Sequence, residues 1–330
     1  MFCSSDASHP SVLGVDRTFN LGPCYVTILV YHQNNLIRKG TQYHPIMLGP
    51  VYLHWDGLFP TYHRFFSHLQ SQFDECICGI QASGRHLLLG SDEEKALTKA
   101  MKQLFPSSHR FLCRRHIEEN VKRYLRGKVG ASDGQVKEVT RDIFGQNGLL
   151  ASEDEYEYQL SGFELQEKYS GSLPKFLPYF DKLLKTLLEF VFLPTKQNKS
   201  VPINWKNNSC ESMNHILKLS CDWKVQKIPD LVEKIFKIVQ LQYADVRRAL
   251  CGMGNYEVAP WMAKFKISQS NWATKSTKEK ETMFQTFLKC VPKKQKIVKS
   301  TDGQLVIPKT QQTAKKPGQR KRVKCARTQK

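Results

Sequence analysis

Three carboxylates carry the chemistry this chain could do. Asp16 lies in Ser11-Val-Leu-Gly-Val-Asp-Arg-Thr-Phe, Asp92 in Leu87-Leu-Leu-Gly-Ser-Asp-Glu-Glu-Lys-Ala-Leu, and Glu211 in Asn207-Asn-Ser-Cys-Glu-Ser-Met-Asn. The first two close short apolar runs of strand character. The third opens an amphipathic run of helix character. Two Asp from strand ends and one Glu from a distant helix can assemble an oxygen-rich pocket. Such a pocket suits Mg²⁺ or Mn²⁺, and paired ions of this kind cut and join phosphodiesters. A single Asp at a strand end more often caps a turn or faces water. What singles these out is their setting, because an ionised carboxylate at the end of an apolar strand is hard to bury without a partner.

A second constellation is Phe111-Leu-Cys-Arg-Arg-His-Ile-Glu-Glu-Asn. Cys113 ends a strand-like run, while His116 and Asn120, four apart, share one helix face. Cys and His at this spacing could be half of a zinc site, but no second half follows. Cys113 and His116 therefore read either as a core Cys and a capping His, or as neighbours of the acidic pocket. In the second reading His116 and Asn120 touch phosphate or order a carboxylate.

The elements that must position these residues begin with Val12–Asp16 and the β-branched run Cys24–Tyr31, joined through the turn signal Asn20-Leu-Gly-Pro as an antiparallel pair. Ile46–Trp55 fits a third strand, Thr61–Gln72 a helix, Arg85–Leu89 a fourth strand and Glu93–Leu104 a helix stopped by Pro106. Arg110–Cys113 is a fifth strand and Ile117–Leu125 a helix start. From about Ser132 to Phe192 strand signals vanish. Asp133–Phe144, Glu153–Lys168 and Tyr179–Phe192 read as helices, the last with Pro178 in its first turn. Lys196–Asn208 is a polar loop, and Cys210–Leu219 and Pro229–Ala249 are helices. After Gly252 the pattern weakens. Periodicity alone gives a mixed α/β domain.

Composition narrows the partner. The 330 residues carry a net charge of +20, so an anion, and nucleic acid first, is favoured. From Lys293 to Lys330 thirteen Lys and Arg face one acid, Asp302, so this segment holds +12 of the surplus and the body remains basic. The segment is poor in apolar residues and reads as disordered. Its cluster Lys315, Lys316, Arg320, Lys321, Arg322 and Lys324 is of nuclear-targeting type, and a solvated polybasic end is an equal alternative. No secretory signal opens the chain and no apolar run is long enough to span a bilayer. The ten Cys are accordingly expected reduced, with Cys76-Ile-Cys78 as buried strand residues rather than a metal site.

Together these motifs resemble the catalytic region of Mutator-like element (MULE) transposases. Val15-Asp-Arg-Thr-Phe is similar to the family's first-strand pattern. Ser91-Asp-Glu-Glu-Lys-Ala-Leu with Phe105-Pro and Cys113-x-x-His116-x-x-x-Asn120 resembles its second-Asp block and Cys-x-x-His motif. Asn207-Asn-Ser-Cys-Glu-Ser-Met-Asn resembles its Asn-rich segment with the third acid. In this order they cover about two thirds of the chain.

The resemblance implies a ribonuclease H-like α/β core with an all-helical insertion before the third acid. The expected division is 1–131 for the N-terminal part of the core, 132–200 for the insertion, 201–292 for the C-terminal helical part carrying Glu211, and 293–330 for the basic tail. It implies Asp16, Asp92 and Glu211 as a DDE triad holding two Mg²⁺ or Mn²⁺ ions for cleavage and strand transfer of DNA in the nucleus, with a homo-oligomer left open. Two departures stand out. Glu93 and Glu94 follow the second Asp where the family usually has Gly, and the zinc modules that usually flank the catalytic domain are not seen. A truncated or domesticated member is the expectation. A non-catalytic nucleic-acid-binding relict is the alternative, and a metal-dependent nuclease that cuts without joining is a third reading.

Overall fold

Tyr25-Val-Thr-Ile-Leu-Val-Tyr-His is the most strand-like stretch of the chain, and its two faces are both covered. It forms β2 (Tyr25–His32), antiparallel to β1 (Leu13–Thr18) on one side and to β4 (Ile46–His54) on the other. Beyond β1 lie β5 (Leu88–Ser91) and β6 (His109–Leu112), both parallel to their neighbour, giving the order β4-β2-β1-β5-β6. The computed structural model describes residues 12–76, 87–198 and 201–290, with the short strands at 298–299 and 305–306.

β4 contains Pro50, which cannot donate to a ladder. It is tolerated because β4 is an edge strand and the pairing shifts there: Ile28 faces Val51 and Val30 faces Leu48, so Gly49 and Pro50 bulge opposite Leu29.

Alternation along the strands sends side chains to two cores. Leu13 and Val15 of β1 and Leu29 and Tyr31 of β2 face a cluster with Tyr62, Phe66, Leu97, Met101 and Phe105. These come from α1 (Phe59–Cys76), α2 (Lys95–Leu104) and the turn after it. Val26, Ile28 and Val30 face the opposite way, onto Cys210, Met213 and Leu217 of α8 (Asn208–Ser220) and Leu231 and Ile238 of α9 (Ile228–Leu250).

A third cluster is almost entirely helical, with Leu112 of β6 at its edge. It is built by α3 (Arg114–Tyr124), α4 (Asp133–Phe144), α5 (Glu155–Ser172), α6 (Leu177–Leu187) and their π-helical extensions Leu125–Val129 and Leu188–Phe192, followed by α7 (Leu193–Gln197). Gly130 closes the first extension at φ 77°, a conformation favouring glycine, and Ser132 opens α4 through a capping box with Gln135. Pro178 sits in the first turn of α6, as its position in the sequence suggests.

The weak pattern after Gly252 conceals order. β7 (Tyr256–Val258) pairs antiparallel with β3 (Leu36–Arg38), and each is three residues long, too short to show alternation. α10 (Gln269–Thr274) and α11 (Thr277–Lys289) follow, the latter opened by a Ser276–Glu279 capping box. Phe284 and Phe287 of α11 complete the first core. The expected purely helical segment 201–292 thus contains a strand.

Cys76 closes α1 instead of lying in a strand, because the helix runs four residues past its expected end; Cys78 lies outside the described residues. Residues 293–330 form a separate unit, of which β8 (Val298–Lys299) and β9 (Leu305–Val306) pair antiparallel. The rest of the segment read as disordered, including the basic cluster from Lys315 to Lys324, lies outside the described residues. No helix among the described residues is long and apolar enough to cross a membrane.

Two glycines let the layers close. A methyl on Gly14 of β1 would stand 2.6 Å from Cys210 Sγ and 2.9 Å from Asn207 Oδ1, and one on Gly90 of β5 would overlap the Trp205 indole. Gly90→Ala should therefore lower stability by about 1–3 kcal/mol, the usual cost of overpacking. Gly40→Ala, with nothing within 4 Å of the new methyl, should change it little. Urea denaturation of both variants checks this; equal midpoints would show that the indole yields freely.

Candidate active site

The parallel register of β1 and β5 fixes where the first two acids stand. Leu13 pairs with Leu89, Gly14 with Gly90 and Val15 with Ser91. Asp16 and Asp92 occupy the next step, side by side across neighbouring strands roughly 5 Å apart. Alternation puts both on the face of Gly14 and Gly90, beneath α8. Asp16 Oδ1 accepts from the Arg17 backbone N–H at 2.8 Å, and Oδ2 accepts from Asn214 Nδ2 at 2.6 Å.

Glu211 arrives from the first turn of α8, where the helix dipole favours a carboxylate. Asn214, three residues on, shares its face. Several contacts hold this end of α8 against the sheet. Asn207 N–H donates to Cys113 Sγ at 3.3 Å, its side-chain Nδ2 donates to the Val15 carbonyl at 3.4 Å, and Ser209 Oγ lies 2.8 Å from His32 Nε2. Arg114 N–H donates to the Trp205 carbonyl at 3.3 Å, docking the preceding loop.

β6 hands the chain directly to α3. Cys113 N–H donates to the Ser91 carbonyl at 2.9 Å, extending the ladder to the residue before Asp92. Cys113 caps α3 in extended conformation, and one turn on His116 Nδ1 comes within 2.7 Å of Asp92 Oδ1. The two atoms are shielded from solvent and meet at a poor hydrogen-bonding angle. Cys113, His116 and Asp92 place one donor atom each within 4.8 Å of one another. Asn120 stands apart from this group, donating instead to Glu93 Oε2 at 3.3 Å.

The electrostatics follow from this crowding. Burial, with the charge of Asp92 beside it, pushes the Asp16 carboxyl up to about 7, against the pull of the Arg17 and Asn214 hydrogen bonds. Burial raises Asp92 as well. His116 and the Asn207 amide oppose that rise, and the charge of Glu211 adds to it. The Cys210 thiol is raised well above its ordinary value by burial and by the charges of Asp16, Asp92 and Glu211 together. The charges of all three acids thus act on this one buried thiol. Their outer polar partners are incomplete: the shielded atoms Ser91 Oγ, Asp92 Oδ1, Asn207 Oδ1 and Asn214 Oδ1 have no hydrogen-bond partner.

Glu93 and Glu94, which follow Asp92, are engaged elsewhere. Glu94 accepts from the Tyr62 hydroxyl at 2.7 Å and pairs with Arg17 at 3.3 Å. Arg17 is itself packed over the rings of Phe19 and Tyr25.

The structure therefore brings Asp92, Cys113 and His116 together, sets Asp16 on the strand beside Asp92, and holds Glu211 on α8 near enough for its charge to act on Asp92. Motif reading passed over Asn207, Cys210, Asn214 and Arg115, which hold it together. Asn214 was accessible as the residue one turn beyond Glu211. Arg115, whose Nη2 forms a short ion pair with Glu211 Oε1, carried no signal, since nothing in sequence ties α3 to α8.

Asp16 binds its proton more tightly folded, at about 7, than unfolded, at 3.8. Folding stability therefore falls as pH rises from about 4 to about 7, and the whole cost is present above that window. Asp16→Asn has no charge to desolvate. It should exceed the parent by on the order of 2 kcal/mol near pH 8, with the gap closing near pH 4. Denaturant titrations across this range test it; a pH-independent gap would mean that Asp16 is not crowded by Asp92.

A family model for transposases of the Mutator family matches residues 66–247. That span runs from within α1 to near the end of α9 and includes Asp92, Cys113, His116 and Glu211; Asp16 precedes it. No curated protein matches the chain. The match covers more than half of the sequence and the elements that supply two of the three clustered acids, and the chain belongs to the Mutator family of transposases.

Proposed function

We propose that this protein is a DDE-type transposase domain that cleaves and joins DNA with divalent metal held by Asp16, Asp92 and Glu211. The observation that carries the reading is that Asp16 and Asp92 follow paired residues of adjacent strands and both have raised proton affinity, with the charge of Glu211 acting on Asp92 and Cys210. The strand order β4-β2-β1-β5-β6, with β2 antiparallel to its neighbours, supports a ribonuclease H-like core. The helical cluster between β6 and α8 would be the insertion in that core.

The donor set fits hard divalent ions. The three acids offer carboxylate oxygen, the charge of Asp92 adds to the raised proton affinity of Asp16, and shielded oxygens at Asn207 and Asn214 lack hydrogen-bond partners. Bound there, Mg²⁺ or Mn²⁺ would activate the attacking oxygen and stabilise the leaving one. The protein's part is positional. The Asn214 amide and the Arg17 backbone N–H orient Asp16. His116 orients Asp92 from α3. Cys113 acts at one remove, accepting from Asn207 N–H and so seating the helix that carries Glu211.

The partner in this reading is DNA, in line with the family and with the +20 charge. The nucleus is the compartment, and the basic cluster Lys315, Lys316, Arg320, Lys321, Arg322 and Lys324 supplies both address and phosphate contacts.

Asp92→Asn should abolish Mg²⁺-dependent cleavage of DNA while leaving the circular dichroism spectrum and melting point close to the parent's. Cleavage at the parental rate in this variant would remove the triad assignment. Salt-sensitive DNA binding in a parent protein that takes up no divalent ion would favour the non-catalytic relict.

A further inference from the structure

Arg115 on α3 reaches across to the third acid on α8. Its guanidinium donates from Nη2 to Glu211 Oε1, while Nε lies 3.4 Å from Glu119 Oε1, one helical turn along α3. The Nε atom is shielded yet makes no aligned hydrogen bond. The side chain as a whole is 41% exposed. The guanidinium is thus held by two carboxylates on different elements, is incompletely satisfied by both, and has room to move.

Neighbouring cations differ. Arg17 is packed over two rings and paired to Glu94. Arg114 donates to the Phe144 carbonyl and covers its ring, so it serves the helical cluster. Arg115 projects from the same turn of α3 as His116, which touches Asp92. It is a cation on the rim of the acidic cluster that its surroundings do not lock.

We infer that Arg115 serves as a stand-in counter-ion: it holds Glu211 while the acidic cluster is empty and passes to a DNA phosphate when a divalent ion claims that carboxylate. This rests on the metal-binding reading of the three acids. The exchange leaves every charged group with a partner of opposite sign. Glu211 trades a guanidinium for a metal ion, and the guanidinium trades a carboxylate for a phosphate oxygen. The planar fork of Arg suits either anion, since carboxylate and phosphate both accept two parallel N–H bonds. Glu119, four residues along the same helix, keeps the displaced side chain near the rim. Arg115 is a positioning residue in this scheme, for it acts on the acid in one state and on the substrate backbone in the other.

The two roles are linked, so metal and DNA should each strengthen the binding of the other through Arg115. The test uses the full chain, Mn²⁺ titrated calorimetrically, and a duplex oligonucleotide bound in the presence of Ca²⁺. Arg115→Gln should bind Mn²⁺ about two- to fivefold more tightly than the parent without DNA, the size an exposed ion pair allows. It should bind the duplex more weakly, with the salt slope of binding reduced by about one. The gain in DNA affinity on adding Ca²⁺ should shrink. Arg115→Lys, which keeps the charge and loses the fork, should restore the parental Mn²⁺ affinity more fully than the DNA affinity. Unchanged Mn²⁺ affinity and unchanged salt slope in Arg115→Gln would overturn the inference. Asp92→Asn separates the two readings. If it loses Mn²⁺ binding while Arg115→Gln behaves as the parent, only the role of Arg115 fails. If Asp92→Asn binds Mn²⁺ as the parent does, the metal reading fails and this inference falls with it.

Discussion

Two negative charges on adjacent parallel strands are the constraint around which this molecule is arranged. Nothing about a β-sheet favours them. Parallel strands stand roughly 5 Å apart, so Asp16 and Asp92, one step past the paired Val15 and Ser91, are held as neighbours. Burial raises both groups, and the charge of Asp92 adds to the rise of Asp16. A sheet can hold such a pair only where the rest of the structure over-determines its register. Here the opposite face of β1 and β2 is packed by Tyr62, Phe66, Leu97 and Met101, and β2 is clamped between two antiparallel neighbours. The acids are thereby fixed by apolar packing on the face they do not occupy.

Bringing the third acid in demands close approach of a helix to the sheet. Gly14 and Gly90, one alternation below the two Asp residues, supply the space, the first for Cys210 and Asn207 and the second for Trp205. Larger residues there would lift the 205–211 segment and carry Glu211 away. The same segment is fastened by backbone groups to Cys113 and Arg114, so the strand-to-helix junction at β6 and the start of α8 support one another. This explains how residues nearly a hundred positions apart reach one cluster without a contiguous motif.

The sequence was most readable where one element sufficed. The β-branched run of β2 and the helix Asp133–Phe144 follow from local rules. The settings of Asp16, Asp92 and Glu211 marked them as candidates for the same reason. What stayed hidden depends on pairing between distant segments. β3 and β7 are three residues each and exist because they bond to one another. Asn207, Cys210 and Arg115 matter because of what packs against them, and that is a property of topology. The helical end expected for 201–292 missed β7 on the same ground, while Cys76 was misassigned because α1 continues beyond its visible amphipathic stretch.

The charge of the cluster is the remaining question the fold resolves. Glu93 and Glu94 follow Asp92 directly, and had they faced the pocket, five carboxylates would share it. They do not. The chain turns after β5, Glu94 becomes the extended residue capping α2, and its carboxylate is taken by Tyr62 and Arg17. Glu93 points to Asn120, one turn beyond His116. The cluster therefore holds three acids, faced by His116 and Arg115 on α3. Arg17 has a double use in this arrangement: its backbone N–H holds Asp16 toward the cluster while its guanidinium draws Glu94 away. A single residue next to the first acid thus sets both which carboxylate enters the pocket and which is kept out of it.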